Sequence, residues 1–248
     1  MQPHLYIIGG PNGAGKTTFA KDYLPGELNC LRFHNSDEIA MGISPFDASL
    51  AQMQAGRILL QNLKTSLRNQ EDFVLESTLS GLTYLKYLRR AKELGYKLTL
   101  HFLWLPSAEE SWRRVETRVS EGGHAVPKDA VFRRYPRIME NVIQHYASLM
   151  DTWYVWDAST TPASFRCQGS DSSIHTYLSQ SADPRPNPDD LSDEVKAAIT
   201  AMNRAAEKMI RRKIALGHDL ITSENGKMVI KDPAEYLRDN PHLFTAKP

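Results

Sequence analysis

The stretch "IIGGPNGAGKTT", residues 7–18, lies almost at the start of the 248-residue chain. Gly10, Gly15, Lys16 and Thr17 satisfy the spacing G-x-x-x-x-G-K-[ST]. No other feature restricts the fold as much. The pattern works only when a buried strand delivers the chain to the loop and a helix takes it away. "HLYIIGG" is a short apolar run ending in glycines, and "KTTFAKDYL" has helical spacing that is expected to stop before Pro25. Glycines let backbone N–H groups converge on phosphates, and the positive end of the following helix points at them. Gly10, Pro11, Asn12, Gly13, Ala14, Gly15, Lys16, Thr17 and Thr18 are therefore expected to cradle ATP. Lys16 would reach the β- and γ-phosphates, and the Thr17 hydroxyl would hold Mg²⁺.

The remaining pattern alternates strands with helices. "DFVLEST", "KLTLHFLWL" and "TWYVWDAS" read as buried strands, the last of these closing the series. "LRFHNSDEIA" reads as a strand edge followed by a turn. "ASLAQMQAGRILLQNLKTSLRNQ" reads as a long helix, with Leu50, Met53, Ile58, Leu59 and Leu63 supplying most of its apolar face. "LTYLKYLRRAKELG" is a helix ending at Gly95. "KDAVFRRYPRIMENVIQHYASLM" reads as two helical pieces kinked or divided at Pro136. Such alternation predicts an α/β fold, a parallel sheet flanked by helices, over residues 1–168. Residues 169–190, rich in Ser, Asp and Pro, read as a linker or surface loop. Residues 191–248 read as an amphipathic helix ending at Gly217 and a hairpin turning at Asn225-Gly226.

A phosphate loop leaves open what happens to the terminal phosphate. "STLSGL", residues 77–82, superficially matches the signature loop of transporter ATPases, but the strand that follows carries no Asp-Glu pair. Phosphoryl transfer to a small molecule needs a base near the acceptor, a grip on the acceptor, and cations around the moving group. Asp37 stands where a base would stand, and also where a helix N-cap would stand. Glu76 ends a buried strand, where a charge is costly unless used. It could bind substrate, hold magnesium through water, or serve as a cap or ion-pair partner. Arg113, Arg114, Arg118, Arg133, Arg134 and Arg137 supply cations, with Arg114 and Arg118 one helical turn apart. His124, alone in "GGHAVP", reads as a loop hydrogen-bonder.

The ordered set "GGPNGAGKTT", "NSDEIA", "LESTLSG" and "RVETRVSEGGHAVPKDAVFRRYPR" resembles the zeta-toxin-like P-loop kinases of bacteria, over about residues 3–165. The resemblance implies a P-loop kinase fold, ATP with Mg²⁺, and transfer of the γ-phosphate to a hydroxyl of a nucleotide sugar such as UDP-N-acetylglucosamine. It puts the catalytic base on Asp37, the substrate-binding acid on Glu76 with Thr78 beside it, and the lid arginines on Arg118 and Arg134. Arg133 and Arg137 compete for the second position, and Arg137 is carried as a substrate contact. "ESTLSG" departs from the founding toxins, whose acid is followed by a Gly-Thr pair, so the acceptor pocket differs. The tail resembles small proteins encoded beside such kinases. It implies an antitoxin-like or regulatory module, fused here or separate, or else an ordinary helix docked on the core.

A net charge of +1 gives no global attraction to nucleic acid or to anionic membrane, although residues 86–140 are the basic part of the chain. Nucleic-acid end binding through that basic middle is accordingly disfavoured. Cys30 and Cys167 form neither a CxxC pair nor a metal spacing and read as reduced thiols. No apolar run approaches the ~18 residues of a membrane span, and "LYII" is too short for a signal sequence. The expectation is a cytoplasmic enzyme. Its rival is an ATP-hydrolysing switch that signals through the tail.

Overall fold

The computed structural model describes residues 2–123, 125–170, 174–179, 191–224 and 227–244. His124, most of the expected 169–190 linker and the Asn225-Gly226 turn lie outside the described residues. A six-stranded sheet runs in the order β2-β3-β1-β4-β5-β6. Its members are β1 (His4–Gly9), β2 (Phe33–His34), β3 (Phe73–Ser77), β4 (Lys97–Trp104), β5 (Thr152–Asp157) and β6 (Ser164–Gly169). The first five are parallel, and β6 returns antiparallel to β5. β6 extends the sheet beyond the series of apolar runs, which closes at β5. Its alternation, Phe165 and Cys167 buried while Gln168 is exposed, is the period-2 signal that could have found it.

Successive strand residues point to opposite faces, so each strand feeds two cores. Leu5 and Ile7, Leu98, Leu100 and Phe102, and Trp153 and Val155 face one cluster. This cluster is completed by α3 (Gln52–Asn69), α4 (Leu85–Glu93) and α6 (Lys128–Asn141). Ile8, Tyr154 and Trp156 face the other. That side is covered by Phe19, Ala20 and Tyr23 of α1 (Lys16–Gly26) and by Val195, Ala198, Ala201 and Met202 of α8 (Asp193–Leu216). Each large side chain buried this way contributes about 1.5–3 kcal/mol. The C-terminal helix is thus one layer of the same core. It is also tied to α1 by ion pairs, Arg204–Glu27 at 2.7 Å and Lys208–Asp22. Beyond it lie the antiparallel hairpin β7 (Leu220–Glu224) and β8 (Lys227–Lys231), then α9 (Pro233–Asp239). A short α7 (Ile174–Ser179) precedes α8.

Four local expectations change. α1 continues through Pro25 to Gly26, because a proline in the last turn forfeits one backbone bond and the helix ends anyway. α6 runs unbroken through Pro136; the irregularity comes later, as a π-turn over Val142–Tyr146. "SDEIA" begins α2 (Ser36–Ile43), not a turn. On α3 the buried face is Ala55, Leu59, Leu63 and Leu67, while Met53 is 74% exposed, as is Leu50 just before the helix at 80%. Small Ala55 packs with Ala40, Ala48 and Ala51, and the larger Met53 is rotated outward.

Candidate active site

The phosphate loop leaves β1 at the middle of the sheet and enters α1 at Gly15, which has the left-handed φ of +81°. Only glycine adopts that conformation readily. Gly13, at φ +77°, is pressed against α5 (Ala108–Ser120): a Cβ there would lie 2.8 Å from Arg114 Cβ and 3.0 Å from the Ser111 carbonyl oxygen. The buried Ser111 hydroxyl donates to the Asn12 carbonyl at 2.7 Å. The loop is thereby fixed to the helix that carries the arginines.

A cavity of about 900 Å³ opens over this loop. Asn12, Gly13, Ala14, Gly15, Lys16, Thr17 and Thr18 all line it, whereas Gly10 and Pro11 shape the loop behind it. Lys16 is buried and donates to the Pro11 carbonyl at 2.8 Å. Burial pushes its ammonium down, Glu76 and Asp37 pull it back up, and Arg118 and Arg134 push it down again. Those five side chains therefore share one electrostatic neighbourhood.

Asp37 lines the cavity from the first turn of α2. It does not cap that helix. Asn35 does, its Oδ1 accepting from the Asp37 and Glu38 N–H groups at 2.7 and 3.3 Å. Glu76, at the end of β3, accepts from the Thr17 hydroxyl at 2.9 Å. Burial raises its carboxyl above the ordinary range, against the opposing pull of Lys16, Thr17 and Asn35. Its Oε2 is buried with no hydrogen-bond partner, although the Asn35 side chain lies near enough to favour the charged form. A hydroxyl and an orphaned carboxylate oxygen beside a triphosphate cradle fit Mg²⁺, which takes few protein oxygens and completes its shell with phosphate and water. The described residues contain no cluster of three or more His, Cys, Asp or Glu for a protein-only metal cage.

Arg118 lines the cavity from α5, and Arg133 and Arg134 line it from the middle of α6. Burial lowers the Arg118 guanidinium somewhat, opposed by Asp37 and then Glu76. Arg133 also pairs with Asp129 at 3.6 Å. Arg137, expected as a substrate contact, does not line the cavity; it lies a turn farther along α6 and is exposed. Arg113 is exposed as well. Arg114 is drawn inward instead, donating to the Ser159 carbonyl at 2.7 Å and pairing with Glu110 at 3.3 Å.

Several lining residues carry no sequence motif. Gln52 and Tyr84 join Thr78 and Ser80 of "LESTLSG" at the end near Asp37. The Thr78 and Ser80 hydroxyls lie 3.0 Å apart. Behind them Asn141 and Tyr146 donate to the Leu79 and Gly81 carbonyls at 2.9 and 2.5 Å, which holds this loop to α6. At the far end Met202, Ala205, Ala206 and Met209 of α8 form part of the wall. They lie three and four residues apart, one helical face.

A parallel sheet in this strand order, with a phosphate loop on its central strand and acid and arginine residues around it, defines a P-loop kinase. Residues 1–160 match the sequence model of the Zeta toxin family, and the chain belongs to that family. An uncharacterized protein of Haemophilus influenzae is 33% identical over 138 residues, which are 54% of this chain and 94% of that protein. Among solved structures, the PezAT chromosomal toxin-antitoxin system of Streptococcus pneumoniae aligns with a TM-score of 0.55 at 14% identity, over 85% of this chain and 88% of that one. The AvrRxo1-ORF1:-ORF2 complex with ATP aligns with a TM-score of 0.56 at 17% identity, over 84% of this chain and 76% of that one. No helix among the described residues is long and apolar enough to cross a membrane.

Proposed function

We propose that this zeta-toxin-family kinase transfers the γ-phosphate of ATP to a hydroxyl of a small molecule, a nucleotide sugar such as UDP-N-acetylglucosamine. Asp37 would be the base. The observation that carries the reading is the Asn35 cap, which leaves the Asp37 carboxylate in the cleft beside Lys16. The loop amides and Lys16 hold the β- and γ-phosphates. Thr17 and Glu76 would hold Mg²⁺, Glu76 through water; when bound, the ion offsets phosphate charge. Asp37 accepts the acceptor proton as the hydroxyl oxygen bonds to the γ-phosphorus and the bond to the bridging oxygen of ADP breaks. Arg118 and Arg134 neutralise charge on the moving phosphoryl group. Thr78, Ser80, Gln52 and Tyr84 supply the polar surface that a hydroxyl-rich acceptor requires. An antitoxin-like role for residues 191–248 remains part of the proposal, with the helix acting from within the core.

The test is incubation with ATP, Mg²⁺ and a panel of UDP-sugars, read as new phosphorylated masses. Transfer that disappears in Asp37→Asn while ATP binding persists supports the assignment. Phosphate release with no phosphorylated acceptor from any sugar or from a metabolite pool would replace it with the ATP-hydrolysing switch.

A further inference from the structure

The family match ends at residue 160, yet the cavity wall does not. Sheet order separates the two ends of the cleft. Asp37 and Thr78 follow β2 and β3, on one side of the phosphate loop of β1. The loop after β5, carrying Pro162 and Ala163, lies on the other side, beyond β4. A triphosphate with its terminal phosphate beside Lys16 and Asp37 must therefore send its sugar and base toward the β5 end. That end carries an apolar strip, Met202, Ala205, Ala206 and Met209 of α8 with Leu220 and Ile221 of β7, bordered by the polar Thr160 and Thr161 and by Glu121 and Lys213.

We propose that the C-terminal helix is a structural part of the nucleotide site and that its Met202–Ala206–Met209 face seats the purine ring of ATP. Small alanines leave a flat slot, and the flanking methionines offer polarizable, adaptable surface to an aromatic face. A volume of about 900 Å³ is near the top of the range of roughly 300–1,000 Å³ for small-molecule sites. The helix therefore walls the cleft without filling it. Its position is held from three sides. Val195, Ala198 and Ala201 are buried in the core shared with α1. Lys213 pairs with Glu121 at the end of α5. The hydroxyl of Tyr236 on α9 donates to the Thr161 carbonyl in the β5 loop.

This inference rests on the kinase reading, and the experiment separates the two. Dissociation constants for ATP and for inorganic tripolyphosphate, each with Mg²⁺, are measured by calorimetry on the full chain, on Met209→Ala and on Ala206→Leu. Tripolyphosphate uses the phosphate loop but has no base. Met209→Ala removes part of the wall at a half-buried position, and Ala206→Leu fills the slot. Each variant is expected to weaken ATP about tenfold and tripolyphosphate less than twofold. Should Ala206→Leu not fold, Met209→Ala decides alone. Unchanged ATP affinity, equal weakening of both ligands, or tighter ATP binding overturns the inference, the last by showing that α8 obstructs the site. Wild-type protein that binds tripolyphosphate but not ATP overturns it too. Wild-type protein that binds neither removes the kinase reading, and this inference with it.

Discussion

Asn35 and Asp37 stand two residues apart, and the structure gives them opposite duties that one pair of variants can separate. Asn35→Ala removes the oxygen that accepts from two N–H groups at the start of α2. Loss of such a cap costs about 1 kcal/mol, within a range of roughly 0.5–2. For a chain of this size that lowers Tm by about 2–4 °C. Asp37→Ala removes no cap bond. It forfeits the attraction of an exposed carboxylate for the positive helix end, about 0.3–1 kcal/mol or about 1–4 °C in Tm, and its pull on Lys16 and Arg118, while relieving its repulsion of Glu76. Activity should run the other way. Asp37→Ala is expected to lose about 10²–10⁴-fold in kcat with ATP still bound, the contribution of a positioned base. Asn35→Ala should lose far less. Differential scanning fluorimetry and a coupled ADP-release assay with the identified acceptor give both numbers. If Asp37→Ala costs as much stability as Asn35→Ala while turning over normally, Asp37 is a cap and the argument for phosphoryl transfer at this carboxylate fails.

Three further outcomes follow from the same geometry. Gly13→Ala forces a left-handed backbone on alanine and drives its Cβ against Arg114 and the Ser111 carbonyl, costing about 2–4 kcal/mol and abolishing nucleotide binding; chemical denaturation and ATP titration check both. Glu76 has its folded carboxyl raised chiefly by burial, so without nucleotide it costs stability as pH rises above its unfolded value near 4.5. Glu76→Gln should therefore raise the nucleotide-free Tm at pH 7 and flatten its decline with pH, while weakening Mg-dependent ATP binding. Fully buried His101, which accepts from Trp156 Nε1 at 3.3 Å, is pushed down to about 3 by burial and then by His4. A histidine depressed in the folded state stabilises nothing extra at neutral pH but costs stability as pH falls below 6.5, with a slope of up to about 1.4 kcal/mol per pH unit until about pH 3. Denaturation at pH 7, 6 and 5 measures that slope; no dependence would mean the ring is solvated.

What could be read from the chain was what is local. The phosphate loop, the strand before it and the helix after it are contiguous, so their chemistry and geometry appear together in a dozen residues. The parallel sheet followed from alternation of apolar runs with helical periods. Pro25 and Pro136 misled because a proline forbids one hydrogen bond, not a helix; burial of Val131 before it and Ile138 after it carries α6 past Pro136. Leu50 and Met53 misled because hydropathy ranks side chains by transfer free energy, whereas position on α3 is set by how closely Ala55 approaches α2. β6 escaped notice because "SFRCQG" is short and half polar, as an edge strand is.

The site was legible in proportion to how much of it lies within single motifs. Lys16, Thr17, Asp37 and Glu76 each sit at a strand end or in the first turn of the helix that follows it, and the sheet gathers such positions on one edge, whereas Arg118 reaches the site from the last turn of α5. Arg133, Arg134 and Arg137 are alike from spacing alone; on α6 the first two line the cavity and Arg137, a turn farther on, does not. The α8 wall had no signature at all. Its residues are Ala and Met, ordinary core chemistry, and nothing in their spacing distinguishes a helix packed on a sheet from one that also faces a ligand. Only the insertion of this helix beside α1 turns the remainder of its apolar face toward the cleft. The same stripe that contributes Val195, Ala198 and Ala201 to the core continues past the sheet edge as Ala205, Ala206 and Met209. A single amphipathic helix thereby links the stability of the fold to the shape of the nucleotide site: a substitution that loosens α8 on α1 must also widen the cleft at its base end.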